Sequence, residues 1–153
     1  MLEKSWENNG VRFEIAKTSM GHYCGYCIFP ERPLIERGYS GIAIYVPVHG
    51  GITFSESGEN LNPPTSGYVY GFDCAHCNDD SNPDCTDVYW LTTECEKMAA
   101  GIKVAAKYEQ RFLDASGNDP VAKILDEMHK ELGGFNLQDN FGAMIRVMCG
   151  SLK

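Results

Sequence analysis

The chain has no long apolar run and little positive charge. Its apolar runs stay well short of the roughly 18 residues that a membrane-spanning helix requires, and its first ten residues lack the apolar segment of a signal peptide. It has 13 Lys and Arg residues against 21 Asp and Glu residues, a formal charge of −8, whereas binding to a phosphate backbone relies on Lys and Arg. We therefore expect a cytoplasmic protein whose partner is neither nucleic acid nor a membrane, and the composition leaves a homo-oligomer open.

Cysteine is too sparse for a disulfide scaffold. The 153 residues include seven cysteines, an odd number and a density below that of chains held together by disulfides. A reducing compartment is the expected setting, so the thiols are there for metal binding, packing or catalysis. The hydrophobic content of 43% is ordinary for a globular protein, and the length corresponds to one domain.

The hydrophobic period changes near residue 86, which divides the chain into a strand-rich part (11–73) and a helical part (87–149). In the first part, alternation or short apolar runs predict strands over 11–15, 23–29, 42–48 and 68–72, with 52–54 continuing the sheet. Residues 42–48 give the clearest of these patterns. We expect a mainly antiparallel sheet.

The helical part has apolar residues at spacings of three and four. A first helix is predicted from an Asp87 cap to a stop at Gly117, with Glu109 interrupting its apolar face. A second is predicted with Asp119 as cap and Pro120 in its first turn, ending at Gly133-Gly134. A third would place Leu137, Phe141, Met144, Ile145 and Met148 on one face. The predicted fold class is α+β, an antiparallel sheet covered by two or three C-terminal helices.

Two polar clusters directly follow predicted strands. They are His49-Gly50-Gly51 and Asp73-Cys74-Ala75-His76-Cys77. Imidazole, carboxylate and thiol groups bind metals, transfer protons and attack carbon. We predict that His49, Asp73 and His76 converge in one pocket with Cys24 or Cys74 at its wall, and that they are the catalytic residues if the protein is an enzyme. The predicted ligand-binding residues are Tyr26, His49, Gly50, Gly51, Thr53, Asp73 and His76.

Two sets of metal ligands remain open. The pairs Cys24/Cys27 and Cys74/Cys77 are both Cys-x-x-Cys, and two such pairs complete a closed structural zinc site. His49, Asp73 and His76 would instead leave an open coordination position, as catalytic zinc sites do. The same three side chains without a metal would be a general base with its orienting partner, or a hydrogen-bond network that only holds the loops.

Several blocks of the chain resemble a family of small proteins of bacteriophages and bacteria, notably actinobacteria. The blocks are Cys24-Gly25-Tyr26, the VHGGITF run 48–54, the YGFDCAH run 70–76, and a helix over 89–100. The positions of Cys27 and Cys77 are not usually cysteine in that pattern. The resemblance therefore favours a site built from Cys24, His49, Asp73, Cys74 and His76. It implies the host cytoplasm as location if a phage encodes the chain, and it implies no particular activity.

Two main classes of function fit these observations. The first is a protein that binds a polar small molecule at the strand ends and could sequester it. A nucleotide-like molecule is one candidate, and Gly50-Gly51 would then meet its phosphate. The rings that would stack a base are Tyr45, Phe54, Tyr68 and Tyr70. The second class is a small metal-assisted hydrolase or lyase in which His49 or His76 acts as base or ligand and Asp73 orients it. A structural zinc module is a further alternative.

Overall fold

A computed structural model describes residues 1–133 and contains one five-stranded sheet. All neighbouring strands are antiparallel, in the order β1-β2-β3-β5-β4. The strands are β1 (Leu2–Asn8), β2 (Val11–Lys17), β3 (Tyr23–Phe29), β4 (Phe54–Ser57) and β5 (Tyr68–Asp73), and the helices are α1 (Val88–Asp114) and α2 (Asn118–Glu131). Helix α1 packs on β2 and β3, and α2 packs on α1. The predicted α+β class is confirmed, and the predicted third helix lies outside the described residues.

Helix α1 begins where the sequence predicts and buries a long face. The Asp87 side chain accepts a hydrogen bond from the backbone N–H of Tyr89 at 2.9 Å, the expected cap. Glu109 does not interrupt the buried face as predicted, because it is itself only 1% exposed. Its carboxylate accepts hydrogen bonds from the backbone N–H groups of Ile35 and Glu36. The buried carboxyl group thus has hydrogen-bond partners and anchors the loop after β3.

Helix α2 begins two residues earlier than predicted. Gly117, at φ 91°, is its N-cap instead of the stop of α1, and Asp119 lies within its first turn instead of capping it. A carboxylate there still interacts favourably with the positive end of the helix dipole. Pro120 lies in the first turn, as predicted, and Gly133 follows the helix with φ 84°.

The prediction of a strand over residues 42–48, which had the clearest pattern, is wrong. The segment forms a short 3₁₀ helix over Gly41–Tyr45, followed by a loop with bends at Val46 and Val48. Val46 packs against α1 so closely that a Cβ at Gly101 would lie 2.7 Å from its Cγ1. Burial against a helix thus explains the apolar run. Pro47 has no N–H to give to a ladder.

The sequence pattern did not predict β1, the first strand of the sheet. β1 is a mostly exposed edge strand, and its polar residues give only a weak alternation. It pairs with β2, and Trp6 stacks on Phe13 with ring centroids 5.1 Å apart. Within residues 1–133, no helix is long and apolar enough to cross a membrane.

The two faces of the sheet have different surroundings. The inner face packs into the core beneath α1 and includes Phe13, Ile15, Cys27, Tyr70 and Phe72. Residues alternate between faces along a strand, so Glu14, Tyr26, Ile28, Val69 and Gly71 lie on the outer face. At the end of β5, Asp73 lies on the outer face and the next residue, Cys74, belongs to the core.

Candidate functional site

The carboxylate of Asp79 lies between two histidines. Its Oδ1 is 2.9 Å from His49 Nε2, and its Oδ2 is 3.1 Å from His76 Nδ1. Oδ2 also accepts the backbone N–H of His76 at 2.8 Å. Burial would raise the pKa of this carboxyl, but the hydrogen bonds from His49 and from the His76 backbone outweigh burial, and the pKa is lowered. Asp79 is therefore a buried carboxylate anion that holds both imidazoles.

Two thiols complete the cluster around His49. Cys85 Sγ is 3.6 Å from His49 Nε2, and the donor atoms of His49, Cys74 and Cys85 all lie within 4.8 Å of one another. The donor atoms of His49, His76 and Asp79 meet the same limit. Burial raises the pKa of Cys85 to about 11 and raises the pKa of Cys74 further, where a hydrogen bond with Cys85 adds to it. Both thiols are protonated near neutral pH unless a metal displaces the proton.

Helix α1 fixes the position of His49. The backbone N–H of His49 donates to Glu94 Oε2 at 3.1 Å, and Glu94 is buried. The imidazole also packs edge to face on Trp90, with ring centroids 5.3 Å apart. Two side chains from the first two turns of α1 therefore hold the loop that carries His49.

Gly50 leaves the space that the side chain of His76 occupies. The Gly50 backbone has φ +70°, and a Cβ there would lie 2.2 Å from Cε1 and 2.6 Å from Nδ1 of His76. Real Cβ atoms do not approach other atoms so closely. The imidazole of His76 thus lies directly against the backbone of the His49-Gly50-Gly51 loop.

Asp73 approaches this cluster from the outer face of the sheet. Its Oδ2 accepts the Thr53 hydroxyl at 2.6 Å, and its Oδ1 accepts the Ala75 N–H at 3.0 Å. Its Oδ1 is 3.7 Å from His76 Nδ1. The structure thus brings His49 and His76 together, with Asp73 next to His76 and Cys74 next to His49.

The four cysteines of the two Cys-x-x-Cys pairs do not converge. Cys24 and Cys27 are three apart on β3 and so face opposite sides of the sheet. Cys24 pairs with Asp73 in the register, whereas Cys27 is fully buried in the core. Among residues 1–133, the clusters with metal-ligand spacing contain neither of them, nor Cys77.

The aromatic residues predicted to stack a base do not share one site, although Tyr68 and Tyr70 contact each other with ring centroids 5.1 Å apart. Tyr70 is fully buried, and Tyr68 is 8% exposed. Tyr45 packs against Phe112 of α1. Phe54 contacts Tyr26 on the outer face, with ring centroids 5.9 Å apart.

A cleft of about 700 Å³ opens beside the cluster. Its lining includes Cys74, His76, Asp79 and Cys85, with Met20, Gly21 and His22 from the turn between β2 and β3 and Tyr23 from the start of β3. The described lining carries the carboxylates of Asp79 and Asp80 and no Lys or Arg.

Sequence reasoning missed two site residues, Asp79 and Cys85. Both lie in short 3₁₀ helices, Asp79–Ser81 and Pro83–Thr86, within an acidic stretch that shows no hydrophobic periodicity. Asp79 follows His76 by three residues, and Asp73 precedes it by three. Cys85 is a buried residue among exposed polar ones.

The geometry differs from that of a nucleophile–base–acid triad. In such a triad the nucleophile and the carboxylate bind opposite nitrogens of the imidazole. Here Cys85 and Asp79 both approach Nε2 of His49. Donors that converge on one point suit a metal ion better than a proton relay.

Comparisons of the chain with protein-family models, with curated proteins and with solved structures give no match. The function is therefore inferred from the donor atoms of the site, their spacing and their burial.

Proposed function

We propose that this protein binds one zinc-like transition-metal ion through His49, Cys74, Cys85 and Asp79. The observation that supports this most is the convergence of one imidazole nitrogen and two sulfurs. In a tetrahedral zinc site with ordinary bond lengths, nitrogen and sulfur ligands lie about 3.6 Å apart. The distance from His49 Nε2 to Cys85 Sγ is 3.6 Å. Asp79 Oδ1 lies 2.9 Å from the same nitrogen, but it belongs to the neighbouring donor group with His76 and would become the fourth ligand by moving toward the thiols.

The donor types favour a soft ion. Thiolate and imidazole select zinc or copper over magnesium and calcium, which prefer oxygen. Because the pKa values of Cys74 and Cys85 are raised in the metal-free protein, binding would expel thiol protons, and affinity would rise with pH. His76, which contacts Asp79 Oδ2, would orient the carboxylate ligand, as outer partners of metal ligands do.

A second candidate function is acid–base catalysis by His76 on a small molecule in the cleft, assisted by the metal. Asp79 holds Nδ1 of His76 at 3.1 Å, and Nε2 makes no hydrogen bond to residues 1–133. A carboxylate that fixes one ring nitrogen leaves the other as the base. The reaction class would be the hydrolysis or elimination expected of a metal-assisted hydrolase or lyase.

The cleft also has the size of a binding site for a polar small molecule, since such sites span roughly 300–1,000 Å³. Its two carboxylates, with no Lys or Arg in the described lining, favour a neutral or cationic molecule over the phosphates of a nucleotide. A phage-type role in sequestering such a molecule is a proposal that rests on the sequence resemblance.

Metal analysis of the purified full chain tests the main proposal. We expect one zinc per chain after reconstitution under reducing conditions, and an intense sulfur-to-cobalt absorption when cobalt replaces zinc. Cys74→Ser and Cys85→Ser should each lower affinity by at least about tenfold. Cys24→Ser removes a buried thiol outside the cluster and should bind as the wild type does. Substoichiometric metal in the wild type, or equal affinity in Cys85→Ser, would refute the proposal.

Turnover separates the second candidate from metal binding alone. The metal-loaded protein is incubated with panels of esters, amides and small amines, and the products are analysed by mass spectrometry. Catalysis by His76 predicts that His76→Gln keeps zinc but loses turnover. Turnover that survives in His76→Gln would exclude His76 as the base.

A further inference from the structure

One row of residues crosses the outer face of the sheet. Glu14 on β2 pairs with Tyr26 on β3, Tyr26 pairs with Gly71 on β5, and Gly71 pairs with Phe54 on β4. Directly opposite residues in an antiparallel pair point to the same face. Three side chains are therefore neighbours on one face, with a glycine between the two aromatic rings.

Gly71 makes room for the aromatic rings. A Cβ there would lie 2.6 Å from Cδ1 and 2.8 Å from Cε1 of Tyr26, so the Tyr26 ring lies over the glycine. The rings of Tyr26 and Phe54 are 5.9 Å apart between centroids and inclined by 85°. Two nearly perpendicular rings form the corner of a groove, in which a ligand can contact an electron-rich aromatic face.

The groove has a volume of about 480 Å³ and a second wall. Ile28 and Val69 contribute apolar surface, and the loop 61–65 closes the far side. That loop is held in place, because Arg12 donates to the Thr65 hydroxyl at 2.6 Å and the Thr65 N–H donates to the Gly58 carbonyl at 2.9 Å. The groove is thus formed before any ligand arrives.

Glu14 gives the groove its charge. It is half-buried in the lining and makes no hydrogen bond or ion pair with the described residues. Arg12, two positions away on the same face, is engaged with Thr65. No Lys or Arg belongs to the described lining, so an apolar and aromatic groove carries one unpaired carboxylate.

We propose that this groove binds an organic ammonium cation, with its alkyl groups against Tyr26 and Phe54 and its charge beside Glu14. Aromatic faces attract ammonium groups within about 6 Å of the ring centroid, and desolvation strengthens the attraction. The net charge of −8 attracts cations to the protein as a whole. The proposal is independent of the metal cluster, which lies at the end of the sheet.

Choline and its neutral isostere 3,3-dimethyl-1-butanol distinguish a cation site from a merely apolar groove. Both are titrated into the full-length protein and followed by NMR or calorimetry. We expect choline to bind at least about fivefold more tightly than the isostere. Equal affinity of the two, or no binding of choline and of the methyl-lysine peptide described below, would overturn the proposal.

Three variants test the assigned residues. Glu14→Gln and Phe54→Leu should each weaken the cation by about fivefold or more. Glu7→Gln, which removes an exposed carboxylate from β1, should bind as the wild type does. Thermal melts check that each variant folds. If Phe54→Leu does not fold, Glu14→Gln, which keeps the shape of the side chain, tests the site by itself. Unchanged affinity in folded Glu14→Gln would contradict the assignment.

The same chemistry occurs in free amines and in methylated lysine side chains. A peptide that contains trimethyl-lysine is therefore compared with the unmodified peptide and with choline. Tighter binding of the methylated peptide than of choline supports a protein ligand. Weaker binding than choline supports a free amine, because the groove then does not accommodate the peptide backbone.

Discussion

The imidazole of His76 occupies the space that a side chain at position 50 would need. A Cβ at Gly50 would lie 2.2 Å from His76 Cε1, so the two polar clusters of the sequence are in contact through a glycine. This contact places His76 against the loop of His49 and beside Asp79.

Gly50→Ala should therefore displace His76 as well as strain the backbone. Gly10→Ala is a matched control, since Gly10 has φ +76° and its Cβ would have nothing within 4 Å. An alanine in the left-handed region costs about 1–2 kcal/mol. We expect urea unfolding to show that Gly10→Ala loses only this amount of unfolding free energy. Gly50→Ala should lose more unfolding free energy and should bind zinc less tightly. Equal losses of stability with unchanged zinc affinity would contradict the assigned contact.

Glu94→Ala should loosen His49 without removing any metal ligand. It leaves the buried N–H of His49 unpaired, which costs about 1–3 kcal/mol of unfolding free energy. Zinc affinity should fall by about 10–100-fold. Glu96→Ala is the control, because Glu96 lies on the same helix and accepts from Trp6 at 3.1 Å instead of from the site. Zinc titrations of both variants decide, and equal zinc affinities would count against the role of Glu94.

Glu109→Ala should destabilise the fold and leave the site unchanged. Glu109 accepts two backbone N–H groups of the loop after β3, and their loss costs about 1–3 kcal/mol. Gln110→Ala, at the exposed neighbouring position, should cost little. Urea unfolding and zinc titration are measured on the same samples. A fall in zinc affinity in folded Glu109→Ala would show that this loop supports the site.

Acid should release α2 from α1. A hydrogen bond from Arg111 lowers the pKa of Glu127, and one from Tyr108 lowers the pKa of Glu131. A carboxyl with a lowered folded pKa stabilises the structure above its unfolded pKa, and this stabilisation is lost as pH falls through the folded value. The protection factors of the α2 amides, which correct for the pH dependence of intrinsic exchange, should therefore fall below about pH 4. A Glu127→Gln/Glu131→Gln variant should show a smaller fall, and an equal fall would assign the effect to other groups.

An element can be predicted from the sequence when its apolar residues all face one neighbouring surface, because they then recur with the period of a strand or a helix. Three strands and the Asp87 cap of α1 follow directly from alternation and capping. Residues 42–48 do not, because an apolar segment that packs against α1 has the same composition as a strand that is buried on both faces. β1 is exposed and polar, so its alternation is weak.

The site was partly predictable for a similar reason. His49 and His76 stand out because each follows an apolar run, whether that run is a strand or not. Asp79 and Cys85 lie in an acidic stretch, and only the path of two short 3₁₀ helices turns them inward. Periodicity contains no information about such a path. The four-cysteine zinc site does not form, because side chains alternate along β3 and place Cys24 and Cys27 on opposite faces of the sheet.

The change of face between Asp73 and Cys74 determines where the chain can tolerate insertions. A slip of one residue in β5 would turn the thiol outward and the carboxylate into the core, and would move His76 away from Gly50. The loop 58–67 between β4 and β5 contributes no residue to the proposed metal site, whereas its residues 61–65 line the aromatic groove. Related chains with a loop of another length should therefore keep the metal ligands and the spacing from Tyr68 to Asp79, and should lose the groove.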